Sequence, residues 1–131
     1  MNEFKKLINI VKTLRAPNGC NWDKKQTHNS LIPYLLEETY EVIEAIEKND
    51  FIALKEELGD LLLHIVFQAE LALEKEKFTI KDLLKNINKK LMDRHPHIFY
   101  NKEGVPCEKE NWELLKQKEK QRDSVLDGVP I

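Results

Sequence analysis

The sequence predicts an all-α fold, an antiparallel helical bundle of about five helices. Apolar residues recur with the i, i+3, i+4 spacing of an amphipathic helix in every long segment. No segment shows the alternation of apolar and polar residues that is typical of a half-buried strand. The 131 residues include four glycines and five prolines, most of which lie between the periodic segments. A chain of this length suits one domain, which we assign to residues 1–123, and residues 124–131 resemble the start of a linker.

The first two predicted helices are separated by a polar segment. Residues 2–15 carry one apolar face, and Pro17 and Gly19 end that helix. We expect a loop from there to about residue 29. A second helix is predicted over residues 31–48, with Asn29 or Ser30 as its N-cap and Pro33 tolerated in its first turn.

A short break joins the second helix to the third. Asn49 and Asp50 interrupt the helical pattern, and Asp50 can cap a third helix over residues 51–75. So short a connection between two long amphipathic helices favours an antiparallel hairpin. Thr79 can cap a fourth helix over residues 80–94, which Pro96 ends, and a charged fifth helix is predicted over about residues 108–122.

The formal net charge of −2 conceals a strongly acidic middle segment. Residues 30–76 carry 12 acidic side chains against 3 basic ones, and both flanking segments are basic. This pattern lacks the broad positive field of a nucleic-acid surface, so we expect no direct nucleic-acid binding. No apolar run approaches the ~18–20 residues that span a bilayer. The two cysteines form no CxxC pair, which agrees with a reducing compartment. Together with the lack of a spanning apolar run, this leads us to expect a cytoplasmic protein without a membrane partner.

Carboxylates occupy positions on the second helix where core residues are expected. Glu38 falls in the middle of the apolar face, Glu41 lies at its edge and Glu37 lies just beyond; the face itself is formed by Leu31, Tyr34, Leu35, Val42 and Ala45. An ionised carboxylate that is buried without a partner costs several kcal/mol. Glu38 therefore needs a cation, a proton or a strong donor.

The third helix shows a similar but milder feature. Glu57, Asp60 and His64 line one flank of its apolar stripe, which consists of Leu54, Leu58, Leu61, Leu62, Ile65, Ala69 and Ala72. In a hairpin, Glu57 and Asp60 can face the acids of the second helix. Four such oxygen donors suit Mg²⁺, or Mn²⁺. In the alternative interpretation the acids only pair with Lys55, Lys90 or Arg94.

Cationic and aromatic residues are the remaining candidates. Arg94 continues the apolar stripe of the fourth helix, with Lys90 one turn before it. The pair can complement the C-terminal end of the helix or act as a phosphate clamp. Trp112 and Lys116, one turn apart, can hold a base and a phosphate or anchor the last helix to the core. The segment 20–28, which contains Trp22, can cover a ligand or serve only as a structural loop.

Several motifs resemble those of the MazG-type nucleoside triphosphate pyrophosphohydrolases. The acids match the EExxE…ExxD signature as Glu37-Glu38-Thr39-Tyr40-Glu41 and Glu57-Leu58-Gly59-Asp60. Residues 19–27, 94–99 and 124–127 also look like the N-terminal-type domain of this family, so the resemblance covers essentially the whole chain. Two positions depart from the pattern: Ala53 replaces a lysine found in some active members, and Asn21 replaces a common proline.

The resemblance implies an all-α, oligomeric enzyme of about this architecture that requires Mg²⁺. It implies cleavage of a nucleoside triphosphate, ribo or deoxy, to the monophosphate and pyrophosphate. By motif position, the metal ligands would be Glu38, Glu41, Glu57 and Asp60, and Glu37 and Glu38 would be catalytic. The residues matched to substrate binding are Lys90, Arg94, Trp112 and Lys116. A homo-oligomer, a dimer or larger, is expected.

Two other functional classes are weighed against this hydrolase. The chain could be a catalytically weak or inactive dimerisation or nucleotide-sensing domain of a longer two-domain protein. A redox-active di-metal bundle is disfavoured, because such bundles use Glu-x-x-His pairs and neither acid pair here is followed by a histidine at that spacing.

Overall fold

The structure is a computed structural model that describes residues 2–101, and that part of the chain is helical without a β-strand. Six helices follow one another: α1 (Glu3–Arg15), α2 (Asn21–Lys25), α3 (Ile32–Glu47), α4 (Phe51–Glu74), α5 (Ile80–Asp93) and α6 (Pro96–Phe99). The all-α prediction is therefore confirmed. The predicted helix at 108–122 and the tail at 124–131 lie outside the described residues. The chain divides into two compact units, residues 1–83 and 84–131.

The segment between the first two long helices differs from the sequence prediction. Helix α2 lies inside the predicted loop, and its five residues are too few to show a periodic pattern. The turn that precedes it requires Gly19, because a Cβ atom there would stand 2.1 Å from the carbonyl oxygen of Leu14. This tight turn brings α2 back towards the end of α1.

The start of α3 also differs from the prediction. Leu31 occupies the N-cap position and makes no side-chain capping bond, so the assignment of Asn29 or Ser30 as the cap is wrong. Ser30 instead pairs with Thr27: each hydroxyl accepts from the other residue's backbone N–H, at 2.8 and 3.0 Å. Pro33 lies in the first turn of α3 as predicted.

The α3–α4 hairpin follows the sequence closely. Asn49 takes a left-handed backbone conformation with φ 54°, and Asp50 caps α4 by accepting from the N–H of Ala53 at 3.1 Å. The three residues between the helices turn the chain back, and α3 packs along α4. These contacts confirm the predicted hairpin.

The buried core of the first unit lies between α1 and the C-terminal half of α4. Val11, Leu31, Val66, Phe67 and Leu71 form it, and Phe4, Leu7 and Ile8 pack against it. Leu58, Leu62 and Ile65, which were expected in the core stripe of α4, are exposed instead. Because α4 is apolar on several faces, the packing of α1 decides which of its residues are buried.

Ion pairs reinforce the contact between α1 and α4. Lys12 pairs with Glu70 at 2.9 Å, and Arg15 pairs with Glu74 one turn later on both helices at 2.5 Å.

The fifth helix begins with a reciprocal cap. Thr79 Oγ1 accepts from the N–H of Asp82 at 3.1 Å, and Asp82 Oδ2 accepts from the N–H of Thr79 at 3.0 Å, so the predicted cap is confirmed. The helix ends at Asp93, and the expected helix stop at Pro96 begins the one-turn helix α6. Across residues 2–101, none of the helices is long and apolar enough to cross a membrane.

Candidate metal centre

Three carboxylates from two helices converge in the first unit. Glu38 and Glu41 lie one turn apart on α3, and Glu57 lies on α4. One carboxylate oxygen from each can be chosen so that all three lie within 4.8 Å of one another. Cations such as Mg²⁺ and Ca²⁺ bind oxygens at about 2.0–2.6 Å, so ligands on opposite sides of one ion stand about 4–5 Å apart. The three side chains therefore fit around a single cation.

Glu38 is the clearest sign that this group needs a positive charge. Its side chain is half-buried, and its Oε1 atom is buried without a hydrogen-bond partner in the described part of the chain. Burial is the main cause that raises the pKa of Glu38, and the negative charges of Asp60 and Glu41 raise it further. A side-chain hydrogen bond with Glu57 acts in the opposite direction and lowers the pKa of Glu38. A buried acceptor oxygen without a donor is still costly, so a bound cation would stabilise the ionised form.

The pKa of Glu57 is raised as well, so this carboxyl also favours its protonated form. A hydrogen bond with Glu41, which needs a proton on one of the two carboxyls, is the largest cause that raises the pKa of Glu57 to about 7. Burial and the charges of Glu38, Glu41 and Asp60 act in the same direction. Carboxyls this close share a proton when no cation is bound.

The fourth candidate ligand, Asp60, lies outside this group of three. It is exposed and stands one turn after Glu57 on α4. Its charge still raises the pKa of both Glu38 and Glu57, so it lies within electrostatic range of them. His64, one turn further on, is half-buried, and burial lowers its pKa against the opposing effect of Asp60.

The other predicted site residues stand in different places. Glu37 is exposed on α3 and does not belong to the group of three. Lys90 is half-buried and Arg94 is buried, with 6% of its surface exposed, and both belong to the second unit. Trp112 and Lys116 lie outside the described residues. Lys55, offered as a partner for the acids, is exposed and forms no ion pair with the three within the described part of the first unit.

A cavity of about 300 Å³ adjoins the carboxylates at the turn of the hairpin. Its lining shares Glu41 and Glu57 with the group of three and adds Glu44, Ala45, Lys48, Asp50 and Ala53. Sequence reasoning did not single out Lys48, whose ammonium group pairs with Glu44 at 2.6 Å. The sequence feature that could have identified Lys48 is its position at the end of α3, the helix that carries Glu38 and Glu41.

An aromatic pair lies near the N-terminal end of α3, on the side of the helix that carries Glu38. The rings of Trp22 and Tyr34 meet edge to face, with centroids 5.7 Å apart. Tyr34 precedes Glu38 by one turn, about 6 Å along the helix axis. Both side chains are about half exposed, so the pair offers free aromatic surface one helical turn from Glu38.

Comparison with known proteins gives a consistent family match. The model of the MazG nucleotide pyrophosphohydrolase domain matches residues 26–99, which include all three converging carboxylates. A Thermotoga maritima protein named nucleoside triphosphate pyrophosphohydrolase/pyrophosphatase MazG is 50% identical over 117 residues, which cover 89% of this chain and 45% of the relative. The nucleoside triphosphate pyrophosphohydrolase of Escherichia coli strain K12 is 43% identical over 136 residues, covering 99% of this chain and 52% of the relative.

A third relative carries no activity in its name. The uncharacterized protein YabN of Bacillus subtilis is 45% identical over 136 residues, which cover 98% of this chain and 27% of the relative. The chain thus spans about half of the length of the first two relatives and about a quarter of the third.

Proposed function

The chain belongs to the MazG nucleotide pyrophosphohydrolase domain family, and from that premise we propose that it hydrolyses nucleoside triphosphates to monophosphate and pyrophosphate with the help of Mg²⁺. The observation that carries this proposal is the convergence of three carboxylates, one of which, Glu38, has a buried oxygen atom without a hydrogen-bond partner among residues 2–101. Relatives that share 43–50% of the aligned sequence bear the names of such enzymes, which supports the same reaction.

In this proposal Glu38, Glu41 and Glu57 hold the cation, and Asp60 adds negative charge from the next turn of α4. Oxygen-only donors favour Mg²⁺ or Mn²⁺ over softer metals. When bound, the ion supplies Lewis-acid polarisation of the phosphate oxygens and lowers the pKa of a ligated water.

The other side chains are assigned to proton transfer and substrate binding. Glu37, exposed beside Glu38, is the candidate that accepts a proton from the attacking water. Arg94 and Lys90 are proposed to balance charge on the departing pyrophosphate, since a guanidinium fork and a mobile ammonium suit phosphate oxygens. Trp112 and Lys116 are proposed to contact the nucleotide.

A nucleotide panel tests the reaction. Purified chain is incubated with each common ribo- and deoxynucleoside triphosphate and with oxidised and deaminated forms, with Mg²⁺, with Mn²⁺ or with EDTA, and released pyrophosphate is measured. We expect pyrophosphate release from at least one substrate that EDTA abolishes. The absence of release from the whole panel would overturn the proposal.

Two substitutions separate catalysis from mere folding. Glu38→Gln and Glu57→Gln should each lower turnover at least about 100-fold, the range for removal of one key electrostatic group. Glu3→Gln is the control, because Glu3 is an exposed carboxylate in the first turn of α1, outside the two helices that carry the group of three. Equal activity of the Glu38 and Glu3 variants would favour a non-catalytic domain.

We also propose that the chain acts as a homo-oligomer in the cytoplasm. The face of α3 opposite the acids is apolar yet exposed, formed by Ile32, Leu36, Tyr40 and Ile43. Phe51 and Ile52 at the start of α4 are 74% and 83% exposed. Apolar surface of this kind is typical of an interface between subunits. Sedimentation should find a dimer or larger species, and Tyr40→Glu should shift it towards monomer.

A further inference from the structure

Arg15 makes more bonds than its ion pair with α4 requires. Its Nε and Nη2 atoms donate to the two carboxylate oxygens of Glu74 at 2.7 and 2.5 Å. Its Nη1 atom donates to the backbone carbonyls of Asp23, Lys24 and Gln26 at 2.7, 3.3 and 3.0 Å. The guanidinium also stands 5.7 Å from the centre of the Phe67 ring, and the side chain is 11% exposed.

The three carbonyls that Arg15 binds belong to the end of α2. The last carbonyls of any helix lack donors within the helix, and a helix of five residues is too short to be stable alone. Arg15 supplies a donor to all three carbonyls, of which that of Asp23 also accepts from the N–H of Gln26 at 3.3 Å, while its other edge is held by α4. A side chain that belongs to α1 therefore helps to hold helix α2 in position.

The position of α2 determines the position of Trp22. Trp22 lies in α2, and its ring contacts Tyr34 on α3, one turn before Glu38. A second tether lies beyond α2, where the His28 ring bonds to the side chain of Gln68 on α4. This tether holds the far end of the segment. Within α2, the Lys24 ammonium group donates to the carbonyl of Pro17 at 2.9 Å, which joins α2 to the preceding turn, whereas Arg15 joins the end of α2 to α1 and α4.

We propose that Arg15 is a positioning residue that holds Trp22 against Tyr34, so that the two rings form a fixed aromatic wall beside the carboxylates for the bound nucleotide. This inference rests on the proposed function for its nucleotide part. Its structural part, the dependence of Trp22 on Arg15, stands on the hydrogen bonds described above.

Lys12 offers a closely matched control. It lies on α1 one turn before Arg15 and pairs with Glu70, one turn before Glu74 on α4. Among the described residues it makes no hydrogen bond with α2. Lys12→Gln therefore removes an ion pair between α1 and α4 alone, whereas Arg15→Lys keeps a cation beside Glu74 and loses the fork that binds the carbonyls of α2.

Fluorescence tests the structural part. Trp22 and Trp112 are the two tryptophans of the chain, so a Trp112→Phe background reports Trp22 alone. We expect Arg15→Lys to raise the acrylamide quenching constant of Trp22 at least about two-fold, because α2 opens locally. Lys12→Gln should leave it unchanged, and thermal denaturation of both variants establishes that each is folded.

Kinetics with the best substrate of the nucleotide panel test the functional part, with Trp112 intact. Arg15→Lys should raise KM about two- to ten-fold, the range of one lost aromatic contact, with kcat changed less than about two-fold. Trp22→Ala should produce the same rise, and the double variant should be no worse than Trp22→Ala alone, because both act on one contact.

The outcomes are distinguishable. The positioning role would be overturned if the quenching of Trp22 is unchanged in Arg15→Lys. It would also be overturned if the effects of Arg15→Lys and Trp22→Ala on KM add. In either case an active unsubstituted chain would leave the proposed function intact. A fall in kcat that matches the loss of folded protein would assign Arg15 a purely structural role and so overturn the inference. No pyrophosphate release from the unsubstituted chain would overturn the proposed function, and the KM effect with it.

Discussion

Proton displacement from Glu57 should control how tightly the carboxylate group binds a divalent cation. The hydrogen bond with Glu41 and the surrounding negative charges raise the pKa of Glu57 to about 7. A carboxyl group must lose its proton before it can ligate a metal, so metal binding and proton release are linked. Because the raised pKa keeps Glu57 protonated below neutrality, cation affinity should fall as the pH falls through 7.

The magnitude follows from that single pKa. At pH 7 about half of the molecules carry the proton, so about half a proton leaves per cation bound; the value should be about 0.9 at pH 6 and about 0.1 at pH 8. The apparent Kd should tighten about ten-fold between pH 6 and pH 8. A carboxyl with an ordinary pKa would be fully ionised throughout this range and would contribute no slope.

Calorimetric titration with Mn²⁺ measures both quantities. Titrations at pH 6, 7 and 8 in buffers of different ionisation enthalpy yield the Kd and the number of protons released. Glu57→Gln should bind Mn²⁺ more weakly and lose the slope, whereas Glu3→Gln on α1 should keep it. A Kd that does not change between pH 6 and 8, or a slope that survives in Glu57→Gln, would refute the reasoning.

Three further predictions concern stability. In EDTA, Glu57→Gln should raise the melting temperature more at pH 8 than at pH 5. The raised pKa of Glu57 means that folding favours the protonated carboxyl, so the stability of the unsubstituted chain falls as the pH rises from about 4.5 to about 7. Scanning fluorimetry at both pH values measures the melting temperatures, and an equal gain at both would contradict the prediction. Asp50→Ala should cost about 1 kcal/mol in urea denaturation, since it removes the N-cap of α4, and no loss would show that the cap is dispensable. Gly19→Ala should lower the free energy of unfolding by about 1–3 kcal/mol, because the new Cβ atom would meet the carbonyl of Leu14. Gly59→Ala should raise it by about 0.5–1 kcal/mol, because its Cβ atom would meet nothing within 4 Å and alanine favours the helix. Equal effects of the two substitutions in urea denaturation would contradict the described packing.

The parts of the fold that the sequence predicts well depend on neighbouring residues. The α3–α4 hairpin follows from Asn49, which tolerates a left-handed conformation, and Asp50, which caps the next helix. Both effects operate within four residues of their origin. For the same reason Thr79 was predicted as a cap, and the structure adds the reciprocal bond from Asp82.

The parts that the sequence does not predict depend on distant contacts. Helix α2 has no periodic pattern, and its C-terminal carbonyls are held by Arg15 from another helix. The buried face of α4 could not be identified because apolar residues occupy most of its circumference. The choice of Val66 and Phe67 over Leu58 and Ile65 is made by the packing of α1 against its C-terminal half.

The candidate site also has a part that the sequence predicts and a part that depends on packing between helices. Glu38, Glu41 and Glu57 were anticipated as near neighbours, because two of them share a face of one helix and the third lies near the start of its hairpin partner. Asp60 was expected in the same group but lies outside the group of three, although it follows Glu57 at the same three-residue spacing that separates Glu41 from Glu38. Spacing along one helix therefore does not decide which side chains join the group. The rotation of each helix about its own axis decides it, and that rotation is set by packing between helices.

Most of the buried core lies away from the carboxylates in the α3–α4 hairpin, and this arrangement has a physical consequence. Val66, Phe67 and Leu71 are buried in the C-terminal half of α4, whereas Glu57 lies in the N-terminal half, where Leu58 and Leu62 remain exposed. On α3, Val42 and Ala45 are buried near the carboxylates, but both side chains are small. The half that holds mutually repelling carboxylates therefore has less apolar burial to offset them. Local stability is lowest where few apolar contacts are buried, so the site half should depend most on anything that binds it. A cation between Glu38 and Glu57 and a second copy against the apolar face of α3 would each add stability there, which is why both parts of the proposed function concern the same two helices.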